Sequence, residues 1–159
     1  MTARPPVDVE NARTRARRDY ADALAEIAAD GLCPFCEEHL SRYHKKPILF
    51  GDAHWLVTEN AWPYDGMRHQ FLVIARRHVE RAEDLAPAAW EALGAAYRRL
   101  VGHYRLAGAT LFLRSGLTDV TGASVAHLHA QVTSGDRRRP DSELIRALVG
   151  FKQRSGSND

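Results

Sequence analysis

Three polar side chains alternate with apolar ones near the end of the stretch from residue 124 to residue 132, Ser-Val-Ala-His-Leu-His-Ala-Gln-Val. Successive side chains of a β-strand point to opposite faces, so His127, His129 and Gln131 share one face in steps of about 6–7 Å. The other face carries the apolar set that a core requires: Leu128, Ala130 and Val132. A row of two imidazoles and a carboxamide can supply metal ligands, a nucleophile and hydrogen-bond donors.

A second candidate for chemistry is the Cys-x-x-Cys loop formed by Cys33 and Cys36, the two cysteines of the chain. In a reducing compartment this spacing predicts metal ligands or a redox motif and argues against a structural disulfide. Zinc takes four nitrogen or sulfur ligands in a tetrahedron, and the loop supplies two of them.

Histidines must supply the other two ligands, and the residues alone leave two sites open. A local site would add His39 and His44, which follow the cysteines closely in the chain. A distributed site would add His78, at the end of one predicted strand, and His127, in another. The distributed site would stabilise the fold more, because it closes long loops.

The whole-chain properties bound the partners. The 159 residues support one domain, and a net charge of +2 predicts no partner by itself. Arginines cluster in residues 13–18 and 137–139, which we interpret as solvated termini, so we expect no nucleic-acid partner. The chain has no stretch near the ~20 apolar residues of a membrane span and no apolar core of a signal peptide at its start. We expect a cytoplasmic protein with no membrane partner.

The elements that would position these residues follow from periodicity and turn residues. Helical spacing predicts three helices: residues 11–29, a long one from 84 to 102 or 108, and a short one over 142–151. Extended apolar runs predict the strands: 47–50, 54–58, 70–75, 109–113 and the histidine stretch. Without strict β-α-β alternation, this mixture predicts an α+β fold with a largely antiparallel sheet.

With Cys33-x-x-Cys36, Arg77-His78 and His127-x-His129-x-Gln131 together, residues 31–134 resemble the histidine triad (HIT) superfamily of nucleotide hydrolases and transferases. The resemblance implies a HIT-like fold with about five strands and two main helices. The family pattern is His-φ-His-φ-His-φ-φ, and its transferase branch has glutamine at the third place. The chain therefore resembles the branch of galactose-1-phosphate uridylyltransferase and the dinucleoside-polyphosphate phosphorylases.

The residue pattern and the resemblance together predict a division of the chain, and the resemblance also suggests an assembly. Residues 1–30 would form an N-terminal arm and helix, with residues 1–9 disordered, residues 31–151 a HIT-like catalytic domain, and residues 152–159 a disordered tail. Many small members of the family are dimers, so a homodimer is the assembly that the resemblance suggests.

Metal ligands follow from the same resemblance. In zinc-bearing members the ligands are the Cys-x-x-Cys pair, the histidine that ends the preceding strand and the first histidine of the motif. Carried over, they are Cys33, Cys36, His78 and His127. The resemblance thus implies a structural zinc at the distributed site.

Substrate contacts are carried over residue by residue. Ser124 matches a phosphate-contacting serine and Gly122 a glycine of the same loop, while Asn60 lies where the nucleoside pocket often lies. Two candidates depart from the family: Arg114 stands in the region of an Asn-x-Gly, and Gln70 replaces the usual histidine. An arginine could bind phosphate as a bidentate donor.

The family nucleophile is the second histidine of the motif, here His129. A neutral imidazole would attack the α-phosphorus of a nucleotide, and a second acceptor would resolve the nucleotidyl-histidine in a ping-pong scheme. Gln131 can donate to a phosphoryl oxygen but cannot deliver a proton, which favours leaving groups that are stable anions. The resemblance therefore implies a nucleotidyltransferase or phosphorylase acting on nucleoside di- or polyphosphates.

Two alternatives stay open. One is a HIT-type hydrolase of nucleoside phosphoramidates or dinucleoside polyphosphates, despite Gln131. The other is a zinc-stabilised module that binds nucleotides or nucleic acids without catalysis. Covalent labelling by a nucleotide would distinguish the transferase and the hydrolase, which both form the intermediate, from the binding module, which does not.

Overall fold

The computed structural model describes residues 5–15 and 17–153. Five strands form one antiparallel sheet: β1 (Ile48–Gly51), β2 (Trp55–Glu59), β3 (His69–Ala75), β4 (Thr110–Leu113) and β5 (His129–Ser134). Their order across the sheet is β1-β2-β3-β5-β4. The α-helices are α1 (Val9–Arg13), α2 (Arg18–Asp30), α3 (Glu37–Tyr43), α4 (Pro87–His103) and α5 (Thr118–Thr121), and a 3₁₀ turn spans Ala82–Asp84. The predicted α+β class with an antiparallel sheet is confirmed.

One face of the sheet packs against α4. The helix starts with Pro87 in its first turn, where the missing N–H is not needed. Its buried side, which includes Leu93 and Leu100, meets apolar side chains of the central strands. The indole N–H of Trp55 also donates to the Ala89 carbonyl oxygen at 2.7 Å, so this buried polar atom is satisfied. The predicted apolar set of the histidine stretch lies on this face: Leu128, Ala130 and Val132.

The opposite face carries the polar members of the same stretch. His127, His129 and Gln131 are all buried there. A smaller apolar cluster on this side joins Leu40 of α3 to strand residues such as Leu72. The two-residue alternation therefore separates a core face from a polar face, as the sequence predicts.

The central pairing of β3 with β5 positions the polar face. It runs in antiparallel register from His69 opposite Ser134 to Ile74 opposite His129. β5 is enclosed by β3 on one side and β4 on the other. Its side chains are therefore fixed by two ladders of backbone hydrogen bonds.

The N-terminal helix prediction is wrong in one respect, because residues 11–29 contain a break. Thr14 turns its hydroxyl back to donate to the Asn11 carbonyl oxygen at 2.7 Å, and α2 restarts at Arg18. The break lets Arg15 leave the helix and donate to the Trp62 carbonyl oxygen at 3.0 Å. Such a local hydroxyl-to-carbonyl bond competes with helix continuation.

Two further differences concern short segments. The predicted helix over 142–151 is not formed, and that segment is irregular. Helix α3 lies directly after the cysteine loop, with Cys36 at its N-cap, and the periodicity did not predict it. Among the described residues, no helix is long and apolar enough to cross a bilayer.

The N-terminal arm contacts the loop that precedes β5. Val7 is buried and forms an isolated antiparallel bridge with Val125. The prediction that residues 1–9 are disordered is therefore wrong for this part of the arm, whereas residues 1–4 lie outside the described residues, as do residues 154–159 of the predicted tail.

Asn11 fastens the arm to that loop. Its side-chain amide donates to the carbonyl oxygens of Thr118 and Ala123, both at 2.8 Å and both buried. The second of these residues adjoins Ser124. The arm thus supports the loop that carries a predicted phosphate contact.

We expect N11A to lower the free energy of unfolding by about 2–4 kcal/mol, because two buried carbonyl groups lose their donors. Chemical denaturation measures this change. The matched control is E10A, an exposed position of the same helix, which should change stability by less than about 0.5 kcal/mol. Equal effects of the two substitutions would contradict the bracing role of Asn11.

Candidate functional site

Two sulfurs and two imidazole nitrogens converge beside the sheet. Cys33 Sγ lies 3.3 Å from His127 Nδ1, and Cys36 Sγ lies 3.3 Å from His78 Nδ1 and 3.8 Å from His127 Nδ1. All four ligand atoms lie within 4.8 Å of one another. A tetrahedral zinc with ordinary bond lengths would give S···N separations of about 3.6 Å. The donor set and its spacing therefore fit such an ion.

The orientation of the His127 ring also suits a ligand. Its Nε2 donates to the Ala75 carbonyl oxygen at 2.6 Å, which leaves the unprotonated Nδ1 facing the sulfurs. Burial is the main cause that lowers the pKa of His127, to about 4. A neutral ring held by a backbone carbonyl is the usual arrangement for a metal-binding histidine.

The Cys36 sulfur is a protonated thiol when no cation is bound. Burial raises the pKa of the Cys36 thiol to about 12, and the neighbouring Cys33 sulfur contributes to this rise. Two such crowded sulfurs become thiolates when a divalent ion supplies the opposite charge.

The local alternative is not assembled. His39 Nδ1 lies 3.2 Å from the Cys33 backbone carbonyl oxygen, and His44 Nε2 lies 2.8 Å from the Thr58 hydroxyl. Neither ring belongs to the group of four ligand atoms. Of the two sites that the residues left open, the distributed one is brought together.

His129 lines a pocket on the polar face, and Pro34 and Phe35 of the cysteine loop line the same pocket. Its Nδ1 lies 2.8 Å from the His127 carbonyl oxygen and donates to it, so Nε2 carries the free lone pair. Burial is the largest cause that lowers the pKa of His129, to about 4, and the charge of Arg114 adds to it. The ring is therefore neutral at physiological pH. Phe35 packs edge-on against it with ring centres 5.0 Å apart.

Two glutamines form a short chain of hydrogen bonds behind the pocket. Gln70 Nε2 donates to Gln131 Oε1 at 2.5 Å, and Gln70 Oε1 accepts from the Tyr64 backbone N–H at 2.7 Å. Both glutamines are buried. Gln131 lines the pocket beside His129.

Arg114 brings a positive charge to the same pocket. Its Nη2 donates to the Tyr64 hydroxyl at 3.1 Å and to the Leu148 backbone carbonyl. Within residues 5–15 and 17–153, its Nε is the buried side-chain polar atom that has no hydrogen-bond partner. The guanidinium therefore keeps donor capacity for an anion.

No protein-family model matches the sequence, and no curated protein matches it. Solved structures do match. A hypothetical histidine triad nucleotide-binding protein from Sulfolobus tokodaii is 16% identical at a TM-score of 0.52, over 76% of this chain and 82% of that one. A zinc-bound histidine triad family protein from Mycobacterium smegmatis is 18% identical at 0.51, over 70% and 82%. A HIT family hydrolase from Clostridium thermocellum is 19% identical at 0.50, over 64% and 90%.

The chain has the histidine triad fold. This confirms the fold that the resemblance implies, including its antiparallel sheet of five strands. These structures are less than 25% identical to the chain, so the likeness shows the fold alone. The roles of individual side chains must be argued from the geometry of this chain.

Most of the predicted site residues lie around one pocket of the histidine triad fold. Its lining includes six of the predicted catalytic and substrate contacts: Asn60, Arg114, Gly122, Ser124, His129 and Gln131. Gln70 does not line the pocket and lies behind Gln131. The four predicted metal ligands form the adjoining cluster.

Arg15 and Phe35 are among the lining residues that the sequence analysis does not predict. Arg15, interpreted there as part of a solvated terminus, lies over the rings of Tyr20 and Tyr64 at 4.6 and 4.7 Å from their centroids. Phe35 sits inside the Cys-x-x-Cys loop and contacts His129. An arginine in the break between two helices and a phenylalanine in a loop carry no sequence signal of their own.

The buried His44 makes the free energy of unfolding depend on pH. The Thr58 hydroxyl donates to the Pro47 carbonyl oxygen at 2.9 Å, so His44 Nε2 must donate to Thr58. Burial, followed by the charge of Lys46, lowers the pKa of His44. As the pH falls below the ordinary pKa of about 6.5, His44 is therefore protonated in the unfolded state before it is protonated in the folded state.

We expect the free energy of unfolding to fall as pH drops below about 6.5, with His44 contributing to the slope. H44Q should cost stability at pH 8 and cost less at pH 5.5, because glutamine does not titrate. Denaturation at both pH values, with a chelator present throughout, measures this difference. Parallel pH curves for the wild type and H44Q would contradict the contribution of His44.

Proposed function

We propose that the chain is a nucleotidyltransferase or phosphorylase of the HIT superfamily that acts on nucleoside di- or polyphosphates through His129. The observation that carries the proposal is the His129 ring. It lines the pocket as a neutral imidazole, with Nδ1–H held by the His127 carbonyl and Nε2 free. A fixed neutral imidazole in a pocket is suited to nucleophilic attack on phosphorus.

The first step forms a bond between His129 Nε2 and the α-phosphorus. The bond from phosphorus to the leaving oxygen breaks, and its electron pair departs with the anionic leaving group. The ring then carries positive charge, which the Nδ1–H···O bond to residue 127 stabilises. An acceptor oxygen afterwards attacks the same phosphorus and releases the imidazole.

The surrounding donors suit the charge that develops. The Ser124 hydroxyl and the Gln131 amide can donate to non-bridging oxygens, and Arg114 has the unpartnered Nε. Among the described residues that line the pocket there is no carboxylate, and Gln131, which follows His129 in the row, cannot deliver a proton. That absence among the described residues favours a leaving group that departs as a stable anion, and so supports transfer or phosphorolysis.

Hydrolysis by the same nucleophile is the second candidate. Water could resolve the intermediate in place of a phosphate acceptor, and one of the similar structures is described as a HIT family hydrolase. The two candidates share the first step. They differ in the acceptor and therefore in the product.

We expect an α-³²P nucleoside triphosphate or dinucleoside polyphosphate to label the denatured wild type covalently and to leave H129A unlabelled. The matched control is H44Q, which replaces another buried histidine of the same pocket. This variant should keep the label. Chasing the label with phosphate or with water alone identifies the preferred acceptor. A wild type that takes no label from any nucleotide would refute the enzyme and favour a binding module.

We also propose that Cys33, Cys36, His78 and His127 hold a structural zinc ion. The four ligand atoms and the second bond of His127 to Ala75 support this assignment. Zinc bound there would neutralise the thiolates and join the cysteine loop to the start of β5. The proposed ligand set does not include His129 or Gln131, so the ion would have a structural role.

We expect about one zinc per chain by metal analysis, and less than a tenth of that in C36S. The control H39Q alters a ring of the unassembled local site and should retain its zinc. Chelation should lower the Tm of the wild type and leave that of C36S unchanged, because only the former loses a ligand-bound state. Loss of zinc in H39Q with retention in C36S would reverse the assignment.

A further inference from the structure

We propose that Gln70 is a positioning residue that fixes the amide of Gln131 with its N–H groups toward the pocket. The inference rests on the proposed function, in which Gln131 assists phosphoryl transfer. It departs from the expectation that Gln70 touches substrate. The two bonds that join Tyr64, Gln70 and Gln131 carry it.

The orientation of both amides follows from one unambiguous donor. The oxygen and nitrogen of a carboxamide look alike, and their assignment depends on the partners. The Tyr64 backbone N–H can only donate, so the Gln70 atom 2.7 Å away must be oxygen. Gln70 nitrogen then faces Gln131, 2.5 Å away, and the Gln131 atom there must be oxygen.

Strand register explains why the two amides meet. Gln70 of β3 lies opposite Thr133 of β5, and Gln131 lies opposite Leu72. The glutamines are thus diagonal neighbours on the same face, a separation that long side chains can bridge. The backbone of Gln70 also accepts from the Asn60 N–H at 2.8 Å, so Gln70 holds both ends of the loop that forms one pocket wall.

The consequence is a fixed polarity at residue 131. Its oxygen is occupied by Gln70, and its amino group is left for the pocket side. Phosphoryl oxygens are acceptors, so this orientation stabilises the charge that builds up during transfer. Rotating the Gln131 amide would place oxygen against the phosphoryl group and would set two N–H groups against each other at Gln70.

The test substitutes Gln70 with glutamate, which has nearly the same shape. An ionised carboxylate still accepts from Tyr64 but cannot donate to Gln131, so the Gln131 amide should rotate and present its oxygen to the pocket. We expect Q70E to label His129 at least tenfold more slowly at saturating nucleotide. Nucleotide affinity and Tm should stay within threefold and 3 °C of the wild type. A neutral histidine accepts at one nitrogen and donates at the other, so Q70H should restore at least a third of the rate.

A double-mutant comparison separates positioning from a general structural role. Q131M removes the amide that Gln70 orients, so adding Q70E to Q131M should slow labelling by less than twofold. Q70E labelling at the wild-type rate would overturn the proposal. A tenfold effect of Q70E in both the wild-type and Q131M backgrounds would overturn it too.

A measurement on the resting protein keeps this test apart from the proposed function. The Gln70 side-chain amide proton that faces Gln131 should exchange slowly with solvent by ¹H–¹⁵N NMR, and at least tenfold faster in Q131M. Slow exchange in a wild type that takes no label would refute the enzyme and support the hydrogen bond. Equal exchange in the wild type and Q131M would refute the positioning role, whatever the labelling shows.

Discussion

His127 contacts the cysteine loop, the end of β3 and the ring of His129. Its fully buried ring donates from Nε2 to the Ala75 carbonyl and turns Nδ1 toward the two sulfurs. Its own backbone carbonyl accepts from the next imidazole of the row, at His129. One residue therefore joins the cysteine loop to the end of β3 and also sets which nitrogen of its neighbour is free. Displacing it would disturb both the cluster of four ligand atoms and the orientation of the His129 ring.

The polar face of β5 depends on this arrangement because polar groups are costly to bury without partners. Each member of the row has a partner: a carbonyl and sulfurs for His127, a carbonyl for His129 and an amide for Gln131. The opposite face of the strand is apolar and packs below α4. The core thus holds the strand in register, and the hydrogen bonds orient the side chains that could react.

The parts that the sequence predicted are those with short-range periodicity or strong chemical identity. Alternation around His129 predicted the two faces, and the cysteine spacing predicted a cluster of ligands. The choice of His78 and His127 over His39 and His44 needed a family resemblance, because spacing alone does not say which distant strands meet. The role of Gln70 depends on a diagonal contact across β3 and β5, which a register of strands determines and a single sequence does not show.

The other differences between the predicted and the observed structure also come from particular contacts that the sequence does not show. The break after Asn11 arises from a hydroxyl that bonds backward, and helix propensity averaged over the segment conceals it. The segment over 142–151 has helical composition, yet its Leu148 carbonyl accepts from Arg114. The charge of the segment predicts a solvated terminus for Arg15, whereas its guanidinium lies over two tyrosine rings at the pocket.

The bridge between Val7 and Val125 has a consequence for a shortened form of this chain. A shortened chain that began at α2 would keep every sulfur and imidazole of the two motifs. It would lose the brace behind Ser124, which comes from Val7 and Asn11. The ligand cluster and the row of polar side chains would be present in that chain, although the loop that carries Ser124 would have lost its support.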